Sequence, residues 1–227
     1  MSKRIFSTIF LSVLLSLTSS FYAQNNHALP DKDLYFIDDF TKDSIGGYPQ
    51  HWNGNAEAAV VAPKTYTGRW MKLHSQGTYV PTLKKSLPES FAVEFDYIYE
   101  VNGSGNNSTE LTFFSRQNQT PLDAGFPGQQ GVKIYLGDFL VSYMCYTNSD
   151  ILDKTAGENR SVAIEQHQIT KVRVEIRKEI VTLLLNGNMV LKIQRSKSHQ
   201  SHLNTFRLNL WGSVAEPLIG NFRISSI

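Results

Sequence analysis

Residues 171–194 read KVRVEIRKEIVTLLLNGNMVLKIQ, two runs of period-two alternation around the dipeptide Asn186-Gly187. Val172, Val174 and Ile176 share one face of the first run, and Arg173, Glu175 and Arg177 share the other. A strand that covers a core from one side has this pattern. Beyond Ile180 the chain turns more apolar. Asn186 and Gly187 both tolerate positive φ, so a tight type I′ turn is predicted there, with Met189, Leu191 and Ile193 resuming the alternation on the returning strand. A strand with one wet face, closed by such a hairpin, belongs to an antiparallel sheet.

Further strand-like runs are predicted at 34–40, 56–61, 69–73, 91–101, 110–116, 132–136, 139–146, 161–165, 205–211 and 219–225. Turn formers separate them, among them Gly46-Gly47, Asn53-Gly54, Asn102-Gly103-Ser104-Gly105, Pro127-Gly128 and Asn159. No stretch keeps a helical period for three turns. Residues 164–171 come nearest, and they are too few and too β-branched to stand as a helix. Many strands at this spacing mean an all-β chain, an antiparallel β-sandwich or jelly roll. In it Phe91, Val93, Phe95 and Tyr97 are expected to face the core, as are Phe206, Leu208 and Leu210.

The N-terminus reads as an address. Lys3 and Arg4 precede a weakly polar to apolar stretch at 5–17, then Thr18-Ser19-Ser20 and Ala23. Residues 1–23 are expected to be a secretory signal peptide cut after Ala23; the segment is short for a membrane span and lacks a basic stop-transfer flank. Residues 24–33 then lead into one domain at 34–227, with no linker or internal repeat. The chain is expected to be secreted, periplasmic or on the cell surface. Cys145 is the only cysteine, so no intrachain disulfide forms, and the core alone holds the fold. Of 22 lysines and arginines, Lys3 and Arg4 leave with the signal segment, so 20 bases face 20 acids. That balance gives no reason to expect a nucleic acid or another polyanion as partner.

Short motifs carry a resemblance. Asp38-Asp39-Phe40, Gly47-Tyr48-Pro49 and Trp52 form an opening of the type DDF…G..P..W, and Phe91-Ala92-Val93-Glu94-Phe95-Asp96 resembles a long central strand. Residues 171–194 resemble a back hairpin, and Ile219-Gly220-Asn221-Phe222-Arg223-Ile224 resembles a closing strand. Together they look like the concanavalin A-like lectin/glucanase (laminin G-like) superfamily in its secreted bacterial form, across 34–226. The resemblance implies a concanavalin A-like jelly roll. Its members include lectins, non-catalytic carbohydrate-binding modules, glycoside hydrolases, lyases and protein-adhesion domains, so fold is implied more sharply than chemistry.

Two motifs invite a catalytic reading. In Glu94-Phe95-Asp96-Tyr97-Ile98-Tyr99-Glu100, alternation puts Glu94, Asp96 and Glu100 on one strand face. Sandwich glucanases of the superfamily place Glu, Asp and Glu on one strand in that manner, yet here the second Glu follows Asp96 after three residues rather than one or two. Glu94 and Glu100 would lie about 20 Å apart, far beyond the roughly 5 Å a retaining glycosidase needs. Ser108-Thr109-Glu110-Leu111 with Gln166-His167 is similar to fragments of jelly-roll alginate lyases, but the arginine that should open the first motif is absent. Cys145 lies in an apolar run and reads as a buried inert thiol.

Sugars are bound by aromatic faces against their C–H surfaces and by amides and carboxylates at their hydroxyls. Outward positions offering that mixture are Trp211 and Asn209 on one strand, Glu94 and Asp96 on another, and Arg116 and Tyr135 on neighbours. Asp38 and Asp39 near one end and Asn221 near the other supply oxygen ligands suited to Ca²⁺, because first and last strands of such sandwiches are often neighbours. The reading is a non-catalytic module whose partner is a carbohydrate or polysaccharide. The alternatives are a polysaccharide-active hydrolase or lyase, and an adhesion module with a protein partner of the cell envelope. A compact carboxylate pair in a groove favours the enzyme, exposed groove aromatics the lectin, and a flat apolar patch the protein partner.

Overall fold

The computed structural model describes residues 33–74, 76–100, 108–115, 122, 125–137, 140–147, 155–159, 162, 164–195, 201–212 and 215–227. The expected signal segment at 1–23 and the candidate residue Arg116 lie outside them. Among the described residues the chain forms two antiparallel sheets and no α-helix. One sheet has eight strands, in the order β13 (Asn188–Gln194), β12 (Ile180–Leu185), β11 (Ile169–Ile176), β6 (Phe91–Ile98), β15 (Leu218–Ser226), β4 (Trp70–Leu73) and β3 (Ala58–Val61), with β1 (Leu34–Asp38) also paired to β15. The other has seven, β10 (Thr155–Asn159), β9 (Val141–Thr147), β8 (Gln130–Gly137), β7 (Ser108–Phe114), β14 (Thr205–Trp211), β5 (Gly77–Pro81) and β2 (Trp52–Gly54).

Alternation explains which side chains meet between the sheets. Phe91, Val93, Phe95 and Tyr97 of β6 enter the core together with Phe206, Leu208 and Leu210 of β14, as their spacing predicts. Phe222 of β15 stacks on Phe95 with centroids 5.6 Å apart, meets Phe206 at 5.7 Å and takes the edge of Trp52 at 4.9 Å. Burying each such aromatic contributes about 1.5–3 kcal/mol, which is how a chain without disulfides is held. Across the core the Tyr97 and Thr109 hydroxyls bond to each other at 2.8 Å. The first and last strands are neighbours, with Asp38 of β1 opposite Phe222 of β15.

The hairpin turns at Asn186 and Gly187, whose φ values of 50° and 82° are both positive, as a type I′ turn requires. Residues 171–185 are two strands rather than one run, since β11 ends at Ile176 and β12 starts at Ile180. Met189 is exposed where alternation from Leu191 and Ile193 would bury it. A bulge is the cause: the register shifts between Leu183 and Leu184, and Val190 packs toward the core instead. Residues 162 and 164–165 are not a strand; buried Ile164 fills the core from an irregular segment, and Gln166 makes a lone bridge with Tyr99. Strands β2, β5 and β10 carry no predicted counterpart, being short and containing glycine or proline.

Candidate functional site

On β7, Leu111 and Phe113 point into the core, so Glu110 and Thr112 face away from it. The same alternation turns Lys133 and Tyr135 outward on β8, and Arg207, Asn209 and Trp211 outward on β14. The antiparallel registers align these positions in rows across the seven-stranded sheet. Tyr135 stands opposite Glu110, Glu110 opposite Asn209, and Asn209 opposite Thr78 of β5. In the next row Lys133 stands opposite Thr112, and Thr112 opposite Arg207.

This outer face is polar and yet buried: Glu110, Thr112, Lys133, Arg207, Asn209 and Thr78 are each exposed by 6% or less. Parts of the connection between β7 and β8 lie over it. Leu122 O accepts from Thr78 Oγ1 at 2.7 Å and from Arg207 Nη1 at 3.3 Å, and Pro127 O accepts from Tyr146 OH at 2.7 Å. The Phe126 ring packs on Tyr146 and under the Lys133 ammonium, whose Nζ is 4.7 Å from the ring centroid. Gly128 permits the return, with φ at 71° and the Ser115 carbonyl standing where a Cβ would clash with it.

Glu110 sits at the centre. Its Oε2 accepts from Lys133 Nζ at 3.0 Å and from the Trp211 indole Nε1 at 3.0 Å, while Oε1 accepts from the Thr112 hydroxyl. Tyr135 also bonds Glu110. Burial, the Glu110 charge and that hydrogen bond push the Tyr135 phenol well above its ordinary range. Trp211, thus tethered, remains 39% exposed at the end of an otherwise buried strand. Beside it Trp211, Asn209, Arg207, Thr78, Asn55, Gly77, Gly125 and Leu210 line a cavity of about 100 Å³.

The structure therefore brings Trp211, Asn209 and Tyr135 together, but not with Glu94 and Asp96. Those two lie on the outer face of the eight-stranded sheet, across the core, in an open groove of about 770 Å³. Their carboxylates are engaged there. Arg173 Nη1 and Arg223 Nη2 each approach an oxygen of Glu94 to 2.6 Å, and Asp96 takes Lys171 Nζ at 3.1 Å and Asn221 Nδ2 at 2.7 Å. Burial alone would raise the Glu94 pKa, but hydrogen bonds and charge from Arg223 and Arg173 more than offset it and hold the carboxyl below its usual range. A carboxylate so clamped is a poor nucleophile. The fragments resembling a lyase do not meet either: Glu110 is on β7, whereas Gln166 bridges to Tyr99 just past β6 of the other sheet.

The side chains expected to hold calcium, Asp38, Asp39 and Asn221, make other hydrogen bonds in the structure. Asp38 is buried and accepts from the Phe40 amide at 2.9 Å and from the Trp52 indole at 3.1 Å. Asp39 accepts from the amide and hydroxyl of Thr41, which keep its carboxyl below the usual range, and Asn221 turns its NH₂ to Asp96. Among the described residues no three His, Cys, Asp or Glu side chains are placed to hold a metal ion.

Lys133 and Thr78 were missed by sequence reasoning, and Glu110 entered it only as part of the lyase fragment. Lys133 carried a signal, a charged residue at an outward position between apolar Val132 and Ile134, whereas Thr78 stands between Gly77 and Tyr79 and Glu110 between Thr109 and Leu111, which gave none as clear.

No family model matches this chain, and no curated protein does. Solved structures do. The Emp47p carbohydrate recognition domain aligns over 87% of this chain and 98% of its own, with a TM-score of 0.60 at 11% identity. The carbohydrate-binding module CBM66 from Bacillus subtilis aligns over 78% of this chain and 96% of its own, with a TM-score of 0.51 at 16% identity. The endo-β-1,3(4)-glucanase SCLam of family GH16 aligns over 84% and 89%, with a TM-score of 0.56 at 9% identity. At such identities the likeness is one of architecture, and by it the two stacked antiparallel sheets are a concanavalin A-like jelly roll.

Proposed function

We propose that this chain is an exported carbohydrate-binding domain that takes its sugar on the exposed face of Trp211, at the end of β14. The observation that carries the reading is the tethered indole. A buried carboxylate, itself held by Lys133 and Thr112, fixes one edge of Trp211 and leaves the ring partly open beside a polar cavity. A rigid aromatic with polar groups next to it suits a sugar, whose C–H face stacks while its hydroxyls bond sideways. A carbohydrate recognition domain, a carbohydrate-binding module and a glucanase sharing the fold support the reading, although one fold hosts many functions. The proposal does not depend on calcium at Asp38, Asp39 or Asn221.

Hydrolysis is less well supported at this face. Among the described residues Glu110 shares its row with Glu158, since Glu158 stands opposite Ser142 and Ser142 opposite Tyr135. Three strand spacings separate them, roughly 14 Å, which exceeds both the retaining and the inverting distance.

The test is affinity electrophoresis of the purified chain and of Trp211→Ala through gels containing neutral and acidic plant, algal and bacterial polysaccharides. Retardation of the wild type, lost in the variant, is the expected result. If nothing in the panel slows the wild type, the carbohydrate reading falls and an envelope protein becomes the partner to seek.

A further inference from the structure

The outer face of the eight-stranded sheet, across the core from Trp211, carries one continuous row of side chains. Met189 of β13 stands opposite Leu184 of β12, and Leu184 opposite Arg173 of β11. Arg173 stands opposite Glu94 of β6, Glu94 opposite Arg223 of β15, and Arg223 opposite Ile37 of β1. The row therefore reads apolar, apolar, cation, acid, cation, apolar. Both ends are open to solvent, Met189 by 62% and Ile37 by 59%. Met189 belongs to the row only because the bulge in its pairing with β12 turns it away from the core.

Turned end for end, this row is complementary to itself. Consider a two-fold axis lying between two such faces, parallel to the strands and midway between β11 and β6; it stacks each row on its own reverse. Met189 then meets the partner's Ile37, Leu184 meets the aliphatic stem of the partner's Arg223, and Arg173 meets the partner's Glu94, each contact occurring twice. The next row obeys the same rule. Lys171 stands opposite Asp96 in its own sheet, so the axis places it over the partner's Asp96. Farther out, Asn186 gives its Oδ1 to the Lys171 amide at 2.8 Å and has NH₂ left, while Asn221 gives NH₂ to Asp96 at 2.7 Å and has Oδ1 left. The axis sets that donor over the partner's acceptor. On the other side of the central row, Glu175 stands opposite Ala92 and so comes over the partner's Ala92. In these three rows no charge stands over its like.

From this geometry we infer that two copies of the chain associate face to face through the outer surface of this sheet. Each carboxylate already has a cation in its own chain, Arg173 on Glu94 at 2.6 Å and Lys171 on Asp96 at 3.1 Å, and gains a second from the partner, so association leaves no charge buried alone. Methionine and arginine are also side chains that interfaces favour. A glycan is a poorer occupant, because Phe95 is the only aromatic residue lining the groove and it is buried. Six strands span about 24 Å and three rows with their side chains about 20 Å, so each copy covers on the order of 500 Å². That is the low end for a specific interface and predicts a dissociation constant of the order of micromolar to tens of micromolar. Such a dimer turns its two Trp211 faces in opposite directions. On the carbohydrate-binding reading it joins two glycan chains instead of gripping one twice; the dimer itself does not rest on that reading.

The test is sedimentation equilibrium of the purified chain from about 1 to 300 μM, where a reversible monomer–dimer curve is expected. Lys171→Glu alone and Asp96→Lys alone each set like charges across the axis twice and should weaken the dimer at least about ten-fold. An equimolar mixture of the two variants should recover it as a heterodimer, since the reversed charges then face each other and the second pair is the original one. Repair in trans cannot come from the folding of either chain. Met189→Asp and Ile37→Asp change exposed positions, so they should abolish the dimer at little cost to folding and serve even where a charge variant does not fold. Trp211→Ala should dimerise as the wild type does. A wild type that stays monomeric throughout, a dimer indifferent to Met189→Asp and Ile37→Asp, or folded charge variants that do not pair when mixed, overturns the interface and leaves the carbohydrate reading standing. Polysaccharide retardation of a monomeric wild type that is lost in Lys171→Glu and kept in Trp211→Ala would make the groove the glycan site, against both readings.

Discussion

Replacing Lys133 with methionine keeps nearly the same volume but removes the cation that faces Glu110. The pair is 3.0 Å apart, with only 4% and 1% of the two side chains exposed. At that separation and an effective dielectric of about 20 the attraction is of order 5 kcal/mol, and loss of one member of a buried pair costs about 3–5 kcal/mol because the other charge stays buried. Thr112 and Trp211 still donate to Glu110, which argues for the lower end of that range. For a domain of this size the midpoint of thermal unfolding should fall by roughly 6–20 °C. The double variant Glu110→Gln/Lys133→Met removes both charges and keeps an amide oxygen for the indole. Its loss should be about 1 kcal/mol, so a double-mutant cycle followed by urea unfolding should give a coupling of at least about 2–4 kcal/mol, larger by whatever Glu110→Gln costs alone. Trp52 and Trp70 are buried while Trp211 is not, so a red shift of native emission in Lys133→Met would report the loosened indole. A loss under about 1 kcal/mol in Lys133→Met, or a double variant as unstable as the summed singles, would refute the pair as the anchor of this face.

Glu94 carries a pH signature. Its carboxyl is held below the ordinary range because Arg223 and Arg173 outweigh the effect of burial. The stabilisation is therefore complete above the unfolded value, about pH 4.3, and is lost as pH falls through the lower folded value. Denaturant unfolding between pH 6 and 3 should show a shallower decline in Glu94→Gln than in the wild type, and parallel curves would contradict this. Cys145 is buried in the core, and burial, only partly countered by Arg195, pushes its thiol up to about 11. Ellman's reagent at pH 8 should leave the native chain unmodified and titrate one thiol in urea; rapid modification of native protein would mean that β9 opens well below the global unfolding energy.

The faces of the long strands are legible because alternation is local. Phe91 to Tyr97 on β6 and Phe206 to Leu210 on β14 needed only their own spacing to be placed in the core. Met189 escaped because a bulge at Val190 reverses the alternation, and a bulge depends on the pairing of two strands rather than on the residues of one. The site shows the same division. Trp211 and Asn209 are neighbours on β14 and could be read as one outward pair, whereas Asn209 and Thr78 are 131 residues apart and meet only because β14 pairs with β5. No window on the chain contains that contact.

The two carboxylate-bearing central strands show why pattern alone did not locate the site. Glu94 and Asp96 on β6 and Glu110 on β7 occupy equivalent outward positions, flanked by residues that point into the core, so periodicity treats them alike. What separates them is the surroundings of each outer face. Over β6 the face opens on a broad groove, where arginines from β11 and β15 balance Glu94 side by side while water still reaches the pairs. Over β7 the covering segment shields Glu110, Lys133 and Arg207 from water, so each charge needs a dedicated partner and each hydrogen bond acquires a fixed direction. Directionality of that kind is what a binding site requires of its walls. It follows that the shielded face, with Trp211 at its margin, is better equipped to discriminate between ligands than the more heavily charged but open one.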